Sequence, residues 1–161
     1  MKLLLTALLC IVYTSAHAAF PVVPVPAEDQ ARLLESESPQ LAANKKVAYD
    51  IYRYVMAGQM DKLDALVSRD LVNHNPNEAS GFEGMKAYLT KLIGEPRPVK
   101  DTLDGLVSIT AEGDLVVITM FREYDDPNVP GKKYTTTWFD MFRIVDGMMV
   151  EHWDPAKLKS R

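Results

Sequence analysis

The chain has a single cysteine, Cys10, which lies near its N-terminus. Without a second cysteine no intramolecular disulfide can form, so the fold must be held together by its core alone. The chain also lacks an excess of positive charge, since 18 Lys and Arg stand against 22 Asp and Glu, for a net charge of -4. Because nucleic-acid binding depends on clustered positive charge, nucleic acid is not an expected partner.

Long apolar runs are scarce as well. The run over residues 3–12 is far shorter than the ~20 residues that a membrane-spanning helix needs, so stable membrane insertion is not expected. It follows Lys2 and precedes a small-x-small motif that ends at Ala18. This pattern is typical of a secretory signal peptide over residues 1–18 that is cleaved after Ala18, and it predicts a secreted or periplasmic protein.

The segment after this signal differs in composition from the rest of the chain. Residues 19–38 contain three prolines followed by a polar, acidic stretch, which predicts an extended, mobile leader. Residues 39–158 have the length of one domain with one core.

Helical periodicity dominates the first part of this domain. Ser38 is a typical N-cap and Pro39 suits the first helical position, so a helix is predicted over residues 39–57. Asp61 can cap a second, short helix. A capping-box pattern at residues 80–83 predicts a third helix over residues 81–94.

The second part of the domain alternates like β-strands, over residues 102–110, 115–124, 134–145 and 148–153. Helices first and strands later are typical of an α+β fold. Short turns between the strands predict one antiparallel sheet with the helices on one face.

The turn Asp146-Gly147 allows two registers for the last hairpin. A two-residue type I′ turn pairs Asp140 with Trp153, whereas a bulge at Gly147 pairs Asp140 with His152. We favour the bulged register, because it lets Asp140 hydrogen-bond to His152.

In that register one sheet face is mostly apolar with a few convergent polar groups, which is typical of a small-molecule pocket. That face comprises Trp138, Asp140, Phe142, Val150, His152 and Asp154. The opposite face holds Phe139, Met141, Arg143, Met149, Glu151 and Trp153. Its four large apolar residues are too many to leave bare, so a homodimer through the sheet is predicted.

Three stretches of the sequence carry a family resemblance: "LVNHNPNEASGFEGMKAYL", "AEGDLVVI" and "FDMFRIVDGMMVEHWDP". With them the chain resembles the SnoaL-like polyketide cyclase domains of the nuclear transport factor 2-like superfamily over most of residues 40–155. The resemblance implies a cone of three N-terminal helices packed on a curved antiparallel sheet of about four strands. It further implies an apolar cavity, a homodimer through the sheet, and chemistry that needs no metal or cofactor.

The resemblance also implies roles for individual residues. Asp154 matches the aspartate that acts as acid and base in an aldol closure, and His74 would lie at the cavity wall with Asn75 beside it. The chain departs from the cyclase pattern at Asp140, where the cyclases tend to have histidine. From the residues alone, His74 can equally order a turn, and His152 can orient a carboxylate, bind ligand or satisfy Asp140.

A mechanism follows if Asp140 and His152 pair with each other. Asp154 would then be an isolated carboxylate with a raised pKa, and His74 could donate a hydrogen bond to a developing enolate. The histidines and aspartates could also bind a metal ion, but no spacing motif supports one and none is expected.

Two functions remain open. One is a cofactor-independent cyclase, isomerase or lyase that acts next to a carbonyl of a small hydrophobic molecule. The other is a non-catalytic domain that binds such a molecule in the same cavity.

Overall fold

Helices pack on one face of a curved five-stranded sheet in the computed structural model, which describes residues 22–158. The helices are α1 (Gln30–Leu33), α2 (Pro39–Met56) and α3 (Phe82–Ile93), and the strands are β1 (Val67–Asn73), β2 (Leu106–Glu112), β3 (Leu115–Asp125), β4 (Lys133–Val145) and β5 (Met148–Trp153). The predicted signal peptide, residues 1–18, lies outside the described residues. Within residues 22–158 no helix is long and apolar enough to cross a bilayer.

The predicted α+β class and the nuclear transport factor 2-like fold are confirmed. The strands run in the order β1-β5-β4-β3-β2. The four predicted strands form the antiparallel part of this sheet. The core between the sheet and the helices is closed by fully buried side chains such as Leu63, Phe82, Leu106, Ile118 and Ile144.

The fifth strand, β1, was not predicted, and it pairs in parallel with β5. The predicted second helix is only a 3₁₀ turn, Met60–Leu63. The prediction rested on Leu63, Leu66 and Val67, whose spacing fits one face of a helix. Val67 and Leu71 are both buried in β1, as residues four apart on one strand face can be.

The two long helices match their predicted bounds to within one residue. The Ser38 hydroxyl accepts a hydrogen bond from the Leu41 N–H, and Pro39 is the first residue of α2. The capping box predicted for α3 is wrong, because Gly81 occupies the N-cap position and makes no side-chain cap. The Ser80 hydroxyl instead accepts from the Asn73 N–H and ties this loop to the end of β1.

The register predicted for the last hairpin is also wrong. Asp146 and Gly147 both have positive φ, of 50° and 76°, as a type I′ turn requires. Beside the turn Ile144 faces Met149, and an irregularity in β5 then shifts the pairing so that Phe142 faces His152. The extra residue therefore lies within β5 and not at the turn.

Beyond the bulge the observed register differs from the predicted one by two residues. Because side chains alternate with period two along a strand, most of them still lie on the predicted face of the sheet. Asp140, Phe142 and His152 still share the inner face. Met149 is the exception, since it faces the core and is 1% exposed.

Part of the predicted mobile leader packs on the domain. The Val25 N–H donates to the Leu106 carbonyl of β2. Gln30 is buried, and its side chain pairs with both backbone groups of Leu103, donating to the carbonyl at 2.8 Å and accepting from the N–H at 2.9 Å. The Tyr49 hydroxyl of α2 donates to the same Gln30 oxygen. The packed unit therefore begins before residue 39.

Gln30→Ala should lower the free energy of unfolding by about 2–3 kcal/mol, since each buried polar group left without a partner costs ~1–3 kcal/mol. The measurement is urea denaturation of the two proteins. Glu37→Ala, at an exposed position, is the control and should stay within about 0.5 kcal/mol of wild type. Equal stabilities for Gln30→Ala and wild type would show that the segment is not anchored by this residue.

Candidate functional site

A cavity of about 620 Å³ opens between the inner face of the sheet and helices α2 and α3. Its floor is formed by buried side chains, among them Ile51, Met85 and Met149, and its mouth by exposed ones such as Leu92 and Tyr124. The lining residues are Ile51, Tyr52, Val55, Met56, Asn75, Asn77, Glu78, Met85, Tyr88, Leu89, Leu92, Ile93, Arg122, Tyr124, Trp138, Asp140, Phe142, Met149, His152, Asp154, Ala156 and Lys157. The helices contribute mostly apolar groups, and the sheet and the loops contribute the charged ones.

Asp140 and His152 form a buried pair on the inner face of the sheet. The His152 Nε2 lies 3.1 Å from the Asp140 Oδ1, and each residue is 8% exposed. The Phe142 ring stacks on the imidazole, with ring centroids 5.4 Å apart. These contacts hold the imidazole ring in one orientation against the cavity wall.

Asn73, at the end of β1, determines the tautomer of His152. The His152 Nδ1 lies 3.2 Å from the Asn73 Oδ1, which also accepts from the Asn75 N–H. The Asn73 Nδ2 donates to the Glu78 carboxylate at 2.6 Å, so the amide oxygen must be the atom that faces the imidazole. Nδ1 is therefore a donor and carries a proton.

The tautomer restricts what the pair can do. With Nδ1 protonated, the Nε2 either donates to an Asp140 carboxylate or accepts from a protonated Asp140. In both states one proton lies between Nε2 and Oδ1. Since both ring nitrogens are bonded to protein groups, His152 positions Asp140 and offers no free nitrogen to a bound molecule.

Tyr52 and Arg122 complete the other side of Asp140. The Tyr52 hydroxyl donates to the Asp140 Oδ2 at 3.0 Å and accepts from the Arg122 Nη2 at 3.1 Å. Burial, reinforced by the charge of Asp140, raises the pKa of Tyr52 well above its usual value, so its hydroxyl stays protonated. Asp140 is thus hydrogen-bonded at each oxygen.

Asp154 lies beside this pair but is not the isolated carboxylate that we predicted. One oxygen accepts from the Asn75 side chain at 2.7 Å and the other from the Ala156 N–H at 2.9 Å. The side chain is half-buried and lines the cavity. Asp154 is therefore oriented by the loop that follows β1.

Glu78 is a carboxyl group whose pKa is raised by its environment. It lies in the loop between β1 and α3 and lines the cavity. Burial raises the pKa of Glu78, and the hydrogen bond from Asn73 only partly opposes this shift. A carboxylic acid at this position can donate a hydrogen bond to a molecule in the cavity.

Comparison with known proteins now assigns the family. The family model of the SnoaL-like domain matches residues 48–152. The chain belongs to this family. No curated protein matches the chain.

Solved structures agree on the fold of this SnoaL-like domain. TsrD from Streptomyces laurentii shares 25% identity over 70% of this chain and 87% of its own, with a TM-score of 0.50. IdmH from Streptomyces antibioticus, described as "a putative polyketide cyclase", shares 23% over 69% and 89%, with a TM-score of 0.52. An LEH-like epoxide hydrolase from M. tuberculosis shares 18% over 73% and 81%, with a TM-score of 0.52.

The SnoaL-like domain does not place His74 at the cavity wall. The imidazole ring of His74 stacks on the Trp153 ring at a centroid distance of 4.9 Å, and the His74 Nε2 lies 2.8 Å from the Glu151 carboxylate. The reason is strand alternation: Asn73 pairs with His152 and faces inward, so the next side chain faces outward and Asn75 faces inward again. His74 thus cannot donate to an enolate in the cavity.

Of the four residues that we predicted to bind ligand, three line the cavity and one does not. Trp138, Phe142 and Asn75 line the cavity of the SnoaL-like domain, and Val150 does not. Val150 is the residue that the β5 irregularity leaves without a partner on β4, and Met149 takes its predicted position in the wall.

A metal ion is chemically conceivable at the same three side chains. Donor atoms of Asp140, His152 and Asp154 all lie within 4.8 Å of one another. Both imidazole nitrogens are already bonded, however, so a metal would have to displace Asp140 or Asn73. The bonding of the site does not fit a metal ligand set, and we assign none.

Sequence analysis missed Tyr52, Asn73, Glu78 and Arg122. Two of them could have been found from the sequence. Arg122 alternates with Met120 and Ile118 and therefore lies on the inner face of β3. Tyr52 lies on the apolar side of a helix, and a buried tyrosine needs a partner for its hydroxyl. Asn73 became recognisable only once β1 was known to be a strand.

Glu78→Gln should raise the melting temperature at neutral pH. A carboxyl group whose pKa is raised by folding contributes stability below its unfolded pKa, and this contribution is lost as pH rises through the folded value. The amide cannot ionise and keeps an acceptor for Asn73. Thermal unfolding at several pH values should show a gain near pH 7 that disappears in acid. A constant difference from wild type at every pH would contradict the raised pKa.

Proposed function

We propose that this SnoaL-like domain performs acid–base chemistry next to a carbonyl of a small hydrophobic molecule held in the cavity. One observation carries the proposal: the ionisable groups of Asp140, His152 and Asp154 converge within 4.8 Å on one wall of a mostly apolar cavity. Such convergence in an apolar pocket is typical of a catalytic site.

Asp154 is the proposed acid and base. It lines the cavity, is half-buried, and is oriented by Asn75 and by the Ala156 N–H. Asp140 is less accessible, because it is only 8% exposed whereas Asp154 is half-buried. The Asp140–His152 pair then serves as a fixed electrostatic environment for the proton that Asp154 removes from carbon.

Glu78 replaces His74 as the proposed donor to the developing enolate. Its raised pKa increases the protonated fraction, and its carboxyl lines the same cavity. A donor placed where charge develops stabilises the transition state more than the ground state. The proposed division of labour is thus Asp154 at carbon and Glu78 at oxygen, without a cofactor.

A non-catalytic binding domain is the second candidate function. The observation that favours it is the complete bonding of the polar cluster. Asp140 and His152 are bonded to protein groups at every oxygen and ring nitrogen, and within residues 22–158 no buried side-chain polar atom lacks a hydrogen-bond partner. A cavity whose polar groups are all hydrogen-bonded to the protein can bind a ligand without reacting with it.

Mass spectrometry of small molecules retained by protein purified from its own host identifies the substrate to be assayed. With that molecule, Asp154→Asn should reduce turnover by about 10²–10⁴-fold, the usual contribution of a positioned acid or base, while affinity is kept. Asp140→Asn should reduce turnover less. Asp146→Asn, in the hairpin turn where asparagine tolerates the positive φ, is the matched control.

Two outcomes separate the candidate functions. Full turnover by Asp154→Asn would remove Asp154 from the mechanism. Retention of a molecule that wild type never converts would favour the binding domain.

We also propose export and a homodimer through the sheet. Export rests on the signal-like residues 1–18. The dimer rests on the outer sheet face, where Phe139 is 49% and Val145 is 41% exposed; the predicted contribution of Met149 is withdrawn, since it lies in the core. Both are proposals about the protein in its host.

Native mass spectrometry of protein recovered from its host tests both at once. The chain mass should correspond to a first residue at Ala19, and the assembly mass should be twice the chain mass. A chain that retains residues 1–18 would contradict export. A single chain at micromolar concentration would contradict the dimer.

A further inference from the structure

Arg122 is a charged residue in an otherwise apolar row of the sheet. It lies on the inner face of β3, two and four residues beyond Met120 and Ile118, which are fully buried. Its side chain is half-buried and lines the cavity. The pairing of β3 with β4 does not require a cation here.

The guanidinium group of Arg122 is not neutralised by a direct ion pair. Its Nη1 donates to the Phe121 carbonyl and its Nη2 to the Tyr52 hydroxyl, each at 3.1 Å, and both acceptors are neutral. Among the described residues no carboxylate forms a salt bridge with it, whereas Arg53, Arg69 and Arg143 each form two. Since a guanidinium has five N–H donors, several remain for another acceptor.

The cavity therefore carries charges of both signs. The backbone of Arg122 faces Thr136 on β4, four residues from Asp140. The charged groups themselves are linked, because the Tyr52 hydroxyl accepts from the Arg122 guanidinium at 3.1 Å and donates to the Asp140 carboxylate at 3.0 Å. Trp138 lies between the two strand positions and lines the cavity. Arg122 is the positive group of the cavity, and Asp140, Asp154 and Glu78 form its acidic pole.

We infer that the cavity takes an amphipathic acid, a molecule with one anionic group on an apolar body. Its carboxylate, or a group of like charge, would bind the free donors of Arg122, the geometry that favours a bidentate pair. The apolar body lies against Trp138 and the helices. This inference rests on the proposed function for the reactive carbonyl, which the same orientation directs toward Asp154.

Lys157 also lines the cavity but is a poorer anion site. It is exposed, and it follows Asp154 closely in the chain, on the acidic side. The Asn77 Nδ2 donates to both the Asn75 Oδ1 and the Lys157 carbonyl, and so ties this segment to the acidic pole. Lys157 thus provides a matched control for the charge of Arg122.

Isothermal titration calorimetry with octanoate and octan-1-ol tests the inference. These unreactive probes have the same chain length and differ in charge. Octanoate should bind wild type roughly tenfold or more tightly than octanol, the effect of a charge-assisted hydrogen bond. Arg122→Gln should abolish this preference and leave the affinity for octanol unchanged. Lys157→Gln should keep the preference.

Two further variants make the result decisive. Arg122→Lys keeps the charge and should retain part of the preference, which covers the case that Arg122→Gln fails to fold. Asp154→Asn should bind octanoate at least as well as wild type, so a failure of the catalytic proposal does not affect this assay.

Three results would overturn the inference: equal affinity of wild type for both probes, equal weakening of both by Arg122→Gln, or a preference that is lost in Lys157→Gln. Binding of neither probe to wild type would exclude amphipathic acids of this size as well.

Discussion

The hydrogen bond between Asp140 and His152 is the interaction on which the rest of the site depends. Ionisable groups as deeply buried as these destabilise a fold unless each polar atom finds a partner. The partners come from separate elements: Tyr52 from α2, Arg122 from β3 through the Tyr52 hydroxyl, and Asn73 from β1. The pair thereby connects the helical layer, the strands β1 and β3 on either side of it, and the loop that carries Glu78.

This arrangement explains why the cavity can be both open and specific. The helices α2 and α3 present apolar side chains that cannot orient a ligand by themselves. The sheet supplies polar groups whose positions are fixed by one another, so little reorganisation is needed when a molecule enters. A half-buried Arg122 without a salt bridge and a Glu78 with a raised pKa both reduce stability. Such local costs are typical of residues kept for binding or catalysis.

The sequence allowed the layers of the fold to be predicted, and it allowed the inner face of the last hairpin to be identified. Ser38-Pro39 located α2, and alternation placed Asp140, Phe142 and His152 together even though the register was wrong. The faces were predicted correctly because the register error is two residues, and a shift of two residues leaves every side chain on the same face of the sheet. Asp146-Gly147 allowed the type I′ turn that forms, although we favoured the bulged turn, and the irregularity at Val150 has no local sequence signal.

The misplacement of His74 has a different origin. Leu63, Leu66 and Val67 are spaced like one face of a helix, so β1 was missed, and with it the alternation that sends Asn73 and Asn75 inward and His74 outward. Asn73 acquires its role only through a parallel pairing with β5, between segments some eighty residues apart. Long-range pairing of this kind is not encoded in any short motif.

The docking of residues before α2 has a consequence for the edge of the sheet. With β3 on its other side, β2 is an edge strand, and edge strands present unpaired backbone groups that can template aggregation. Val25 occupies one of these groups at Leu106, and Gln30 holds the segment in place. A domain shortened to residue 39 would leave that edge open to strands of other molecules. The short N-terminal segment thus covers part of the sheet edge, independently of anything the cavity binds.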